Sequence, residues 1–201
     1  MSDAAPRLVP LPTERWTEEG IAALRGAFPD SVVDGFLSGG GSRPVPNALA
    51  TMLYHPAIAG PWLAYNQVLL SRPALSARAR ELMVLRVAWR THSRYEWVQH
   101  LALAGRFDIT REDAEAIAGG SDSPTWTPLE RDFVAAVDQL IDQHRIDDDT
   151  WARLAAQLDD RQLVEIPFVV GTYTCLAMVF NSLGIEVERG IDVGEFPAMP
   201  D

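Results

Sequence analysis

Glu81-Leu82-Met83-Val84-Leu85-Arg86-Val87-Ala88-Trp89 is the stretch whose reading decides the fold. Its apolar residues fall on almost every side of a helical wheel, so a helix here is central rather than amphipathic. Ser76 supplies an N-cap, which places the helix over 77–90. Thr91-His92-Ser93 is a break, and Arg94 to about Arg106 reads as a second helix. Ser93 and Glu96 have the spacing of a capping box at its start. So short a break folds the second helix back against the first.

Outward from this hairpin the hydrophobic period stays helical. No strict alternation runs long enough to predict a strand. Toward the N-terminus, helices are expected over Thr17–Ala27, Asn47–Tyr54 and Ala57–Leu70. Toward the C-terminus, Thr110 with Asp113 starts another helix, which Gly119-Gly120 stops. Thr127-Pro128-Leu129-Glu130 combines an N-cap, a first-turn proline and a capping acid, and opens a helix reaching about Arg145. A short helix around Thr150–Leu158 precedes a long apolar one over Gln162–Leu183, bent at Pro167. The expectation is an all-α helical bundle of about seven to eight helices. Gly39–Val45 reads as a turn-rich linker. Residues 1–45 are then an N-terminal extension, 46–187 a single helical domain and 188–201 an acidic tail.

The 201 residues carry 17 Lys plus Arg against 28 Asp plus Glu, a net charge of −11. That sign argues against nucleic acid and anionic membranes as partners. The single cysteine, Cys175, excludes an intrachain disulfide framework or a Cys-x-x-Cys pair, and is expected to be a buried small hydrophobe. Four histidines without a His-rich tract predict no metal site. The N-terminus lacks the basic start and apolar run of a signal peptide. Residues 166–185 are apolar but carry Thr172, Thr174, Asn181 and Ser182, and read as a buried helix rather than a membrane span. A soluble cytoplasmic protein is expected.

The hairpin also holds the chemistry. Glu81 and Arg86 are charges in an apolar helix, so they form either a structural pair or a site. Glu96 and His100 stand at i and i+4 on one face of the next helix. Folding back brings Glu81 toward them. An imidazole beside a carboxylate, with a second carboxyl in an apolar pocket, can move protons at carbon or oxygen without a cofactor. The structural reading stands beside this one: Glu96 as a cap only, and Glu81 with Arg86 as a helix-stabilising pair. An anionic substrate needs a local cation in so acidic a chain. Among Arg86, Arg90 and Arg94, Arg86 is favoured by its apolar setting, unless a buried acid already partners it. Tyr95 and Ser93 are candidate substrate contacts. Tyr65, Tyr173 and Asn181 lie on apolar helices that could line a pocket.

Arg80-Glu81 through Trp89, then Tyr95-Glu96-Trp97 and His100, then Ile109 through Ile117, together resemble the carboxymuconolactone decarboxylase family of the alkyl hydroperoxidase D-like superfamily. The peroxidase branch has a glutamate, a cysteine twelve residues on, a second cysteine three further and a histidine four after that. Those places here hold Glu81, Ser93, Glu96 and His100. A thiolate cycle cannot run on serine and glutamate. The decarboxylase branch, with a glutamate in the first helix and a Glu-x-x-x-His pair in the second, is similar at Glu81, Glu96 and His100. That resemblance implies an all-α fold, a homo-oligomer (dimer, trimer or hexamer), no cofactor, and loss of a carboxylate from an unsaturated lactone. On this reading His100, Glu96 and Glu81 are catalytic, with Glu96 orienting His100 and Glu81 a second acid or relay. The alternatives are a non-catalytic binding protein of the same fold, which would leave Glu96 and His100 facing solvent, and a residual redox protein.

Overall fold

A computed structural model describes residues 6–39 and 44–199. Most of the expected Gly39–Val45 linker lies outside the described residues. Those residues hold ten α-helices and no strand, more helices than the seven to eight expected. The helix passed over is Asp30–Ser38. It has no side-chain cap and carries Val32, Val33 and Gly35, all weak helix formers. Packing rescues it, because Val33 is fully buried.

The chain divides into two compact units. The first comprises residues 6–72 and 183–188. It contains α1 (Glu18–Arg25), α2 (Asp30–Ser38), α3 (Asn47–Met52) and α4 (Pro56–Ser71). Leu24, Val33, Leu49, Leu53, Ala59 and Leu63 form its core, with α1 packed on α4. The short α3 has no side chain of its own on its first turn. Glu188 instead accepts from the Asn47 backbone N–H, while the Asn47 amide donates to the Glu186 carbonyl at 2.9 Å.

The second unit comprises residues 73–182 and 189–199. It contains α5 (Ala77–Arg90), α6 (Arg94–Leu101), α7 (Arg111–Gly119), α8 (Pro128–Gln143), α9 (Asp148–Ala155) and nearly all of α10 (Asp160–Leu183). As expected, α5 is central: every residue from Ala79 to Ala88 is buried, and it packs on α6, α7 and α8. Leu82, Leu85 and Ala88 join Trp97, Leu101, Ile117 and Val134 in one core. Each large apolar side chain buried there contributes about 1.5–3 kcal/mol. The tail is not merely a loop. Val193, Phe196 and Met199 pack on this core, and the Trp97 indole donates to the Pro197 carbonyl at 3.0 Å.

Charge fixes α5 in register with its neighbours. Asp113 and Glu130 each complete a capping box, with Thr110 and Thr127 respectively. Both acids also accept from Arg78, at 2.8 Å, and Arg78 donates further to the Asp108 carbonyl. Burial pushes both carboxyls up. The Arg78 pairs and the cap bonds outweigh it and hold each below the usual carboxylate range. About two turns further along α5, Arg86 grips Asp138 through two bonds of 2.7 and 2.8 Å, and Arg90 adds a third at 2.6 Å. Gly120 follows α7 with φ 89°, and a Cβ there would stand 3.1 Å from the Arg86 guanidinium. Only glycine meets both demands.

Among the described residues α10 alone is long and apolar enough to cross a membrane by length and composition, and half of that stretch is buried. The helix runs on through Pro167. Its buried face carries Val169, Val170, Tyr173, Leu176 and Ala177.

Candidate active site

The break over Thr91-His92-Ser93 forms as expected. His92 takes a left-handed conformation, φ 52°, and the Ser93 N–H returns to the Ala88 carbonyl at 2.9 Å. The chain reverses, and α6 lies along α5. Residues 19 apart in sequence then meet: His100 Nδ1 is 2.7 Å from Glu81 Oε1. With Glu81 as a carboxylate, Nδ1–H donates and Nε2 carries the free lone pair.

Glu96 does not do what its spacing suggests. The side chain of Ser93 makes no cap bond, so the expected capping box is absent. The Glu96 carboxyl turns inward and is 1% exposed, and neither oxygen has a hydrogen-bond partner. Burial, above all, drives its pKa well above the carboxylate range. Ser93 opposes this from close by, though no hydrogen-bond geometry is met, and the negative charge of Glu81 adds to it. Low-dielectric burial without a partner favours the protonated form of this carboxyl.

Tyr173, on α10, closes the cluster. Its ring stands edge-on to His100 with centroids 5.3 Å apart. Burial first, then the neighbouring Glu81 and Glu96 carboxyl groups, push the phenol above its ordinary range, so it keeps its proton. A nearby positive charge, Arg80, acts in the opposite direction.

The structure therefore brings together Glu81, Glu96, His100 and Ser93 of the expected residues. Arg86 is drawn elsewhere. Its guanidinium is committed to Asp138 and the Ile117 carbonyl, so the structural reading holds for it and the expectation of a substrate cation fails. Tyr95 packs edge-on against Phe180, centroids 5.0 Å apart. Asn181 donates to the Thr91 carbonyl at 2.8 Å. Cys175 is exposed rather than buried. Two residues from Tyr173, about 200° round the helix, it faces away from the cluster. Arg80, next to Glu81, was not expected in the site. Its sequence signal was weak, because Arg78 and Arg80 look alike as charges at a helix start. A shallow acidic recess lined by Glu112, Glu115 and Asp122 holds none of these residues. No group of three or more potential metal ligands occurs among the described residues.

Residues 56–139 match the model of the carboxymuconolactone decarboxylase family. The matched segment spans Glu81, Ser93, Glu96 and His100 and holds no cysteine. The alkyl hydroperoxidase D-like fold extends beyond it. An alkylhydroperoxidase AhpD core from Ralstonia eutropha, an uncharacterized peroxidase-related protein, superposes with a TM-score of 0.71 at 19% identity. The match covers 94% of this chain and 96% of that one. An uncharacterized peroxidase-related protein from a Silicibacter species superposes with a TM-score of 0.69 at 18% identity, covering 88% of this chain and 96% of the other. No curated protein sequence matches the chain.

Proposed function

We propose that the chain is a cofactor-independent proton-transfer enzyme of the decarboxylase kind, acting on a small anionic lactone or enolisable carboxylic acid. The observation that carries this reading is Glu96, a carboxyl buried without any hydrogen bond beside the His100–Glu81 pair, where burial raises its pKa. A neutral carboxylic acid in an apolar wall is a proton donor at pH 7. Its roles with His100 differ from the expected ones: Glu81 orients the imidazole, and Glu96 is the acid. Loss of carbon dioxide breaks a carbon–carbon bond and sends its electron pair into the conjugated lactone carbonyl. Carbon then takes the Glu96 proton. Solvent restores that proton, with the His100 Nε2 lone pair first taking a proton from water and then passing it to Glu96. Burial of Glu96 also favours this reading over a solvent-facing, non-catalytic pair. At the thiol positions stand Ser93 and Glu96, which favours proton transfer over peroxide chemistry.

Turnover of a panel of γ-lactone carboxylic acids, followed by absorbance and released carbon dioxide, tests the proposal. Glu96→Gln and His100→Ala are each expected to lower kcat by roughly 10²–10⁴. Activity should fall as pH rises through the raised Glu96 pKa, because the donor is the protonated form. Turnover by either variant within a factor of two of wild type overturns the assignment.

A second copy of the chain is the proposed cover for the exposed face of α10. Val164, Phe168, Gly171, Cys175 and Met178 are exposed there, and successive intervals of four and three residues are the spacing of a helix–helix seam. Light scattering on a sizing column should find an oligomer for wild type and a smaller species for Phe168→Glu with Met178→Glu. An unchanged mass would remove α10 from the interface.

A further inference from the structure

The arginines of α5 do not share one fate. Arg78 pairs with Asp113 and Glu130, Arg86 with Asp138, and Arg90 with Asp138 and Asp142. Arg80 is 5% exposed, yet its guanidinium makes no hydrogen bond or ion pair, and its Nε is sealed from solvent without a partner. The group that does receive it is the ring of Phe107, 5.7 Å from the guanidinium carbon. An aromatic face steadies a cation without neutralising it. A buried cation lacking a counter-ion is costly, and proteins rarely keep one without a use.

Place and charge suggest the use. Arg80 adjoins Glu81 in the chain, and its charge is felt at the Tyr173 hydroxyl, which borders His100. A ligand could thus set an anionic group on Arg80 with its reacting carbon toward Glu96 and His100. In a chain of net charge −11, a carboxylate approaching this cluster meets repulsion elsewhere and one uncompensated cation here. The planar guanidinium accepts a carboxylate through two parallel bonds, which also fixes its orientation.

We infer that Arg80 is an anion-binding residue of this site, taking the carboxylate of a small ligand through its unpartnered guanidinium. The inference rests on the proton-transfer reading for which face of the ligand is turned to Glu96. It corrects the choice of cation from Arg86 to Arg80.

The test titrates the full-length protein calorimetrically with 5-oxotetrahydrofuran-2-carboxylate and, separately, with its uncharged methyl ester. Wild type should bind the carboxylate at least about tenfold more tightly than the ester, a difference of about 1.4 kcal/mol. Arg80→Met and Arg80→Gln should bind the two within about a factor of two of each other, and Arg80→Lys should keep part of the preference. Arg80→Met should also melt no lower than wild type, because it removes a buried unpaired charge. A structural arginine would give the opposite shift. Equal affinity of wild type for carboxylate and ester, or Arg80→Met and Arg80→Gln proteins that retain the preference, overturns the inference. Glu96→Gln and His100→Ala are measured alongside. If they keep full turnover while the Arg80 variants lose anion preference, the proton-transfer reading fails and the anion site stands.

Discussion

The two sides of α5 handle charge in opposite ways. Toward α7 and α8, every arginine meets a carboxylate: Arg78 with Asp113 and Glu130, Arg86 and Arg90 with Asp138. Glu96 on α6 and Arg80 on α5 are at least as deeply buried as Arg86, and among the described residues neither makes a hydrogen bond or ion pair. The first side holds the helix in place. The second keeps a neutral acid and a bare cation poised where water would otherwise satisfy them. Burial alone thus does not separate structure from function here, but the completeness of pairing does.

The largest expected effect breaks the paired side. Arg86→Met leaves Asp138 without its bidentate partner and the Ile117 carbonyl without its donor, and should lower unfolding stability in urea by about 3–5 kcal/mol. A loss under about 1 kcal/mol would mean that Arg90 alone satisfies Asp138, and the contrast would weaken. The next effect has the reverse sign. Glu96→Met removes two unsatisfied buried oxygens and should stabilise the fold by about 1–3 kcal/mol at neutral pH. A carboxyl whose folded pKa is raised contributes most stability below its unfolded pKa and loses it as pH rises through the folded one. The advantage of the variant should therefore widen from acid to alkaline pH. A flat difference would show that Glu96 is not the titrating group. The smallest effect is local. Thr127→Ala removes one half of the α8 capping box while Glu130 keeps Arg78, and should cost about 1 kcal/mol by thermal melting.

Much of this was legible in the residues. The apolar sweep of α5, the break at Thr91–Ser93 and the caps at Thr110 and Thr127 obey local rules, and each forms where expected. The hairpin is local too, so the meeting of Glu81 with His100 could be anticipated. Side-chain partners across distant segments could not. The Ser93–Glu96 spacing fits a capping box, yet the N-terminus of α6 has none, because Glu96 turns into the cluster instead.

The sequence by itself determined that this is a helical protein with a Glu-and-His hairpin at its centre and without a thiol pair. Those are matters of periodicity, turn length and residue identity. Only the tertiary structure decided which charges are spent and which are free. Asp138 lies 52 residues from Arg86 and claims it. Nothing comparable reaches Arg80, and Tyr173 comes from α10 to close the site over His100. A charge's role depends on its nearest opposite charge and on its access to water, and both are set by packing between segments far apart in the chain.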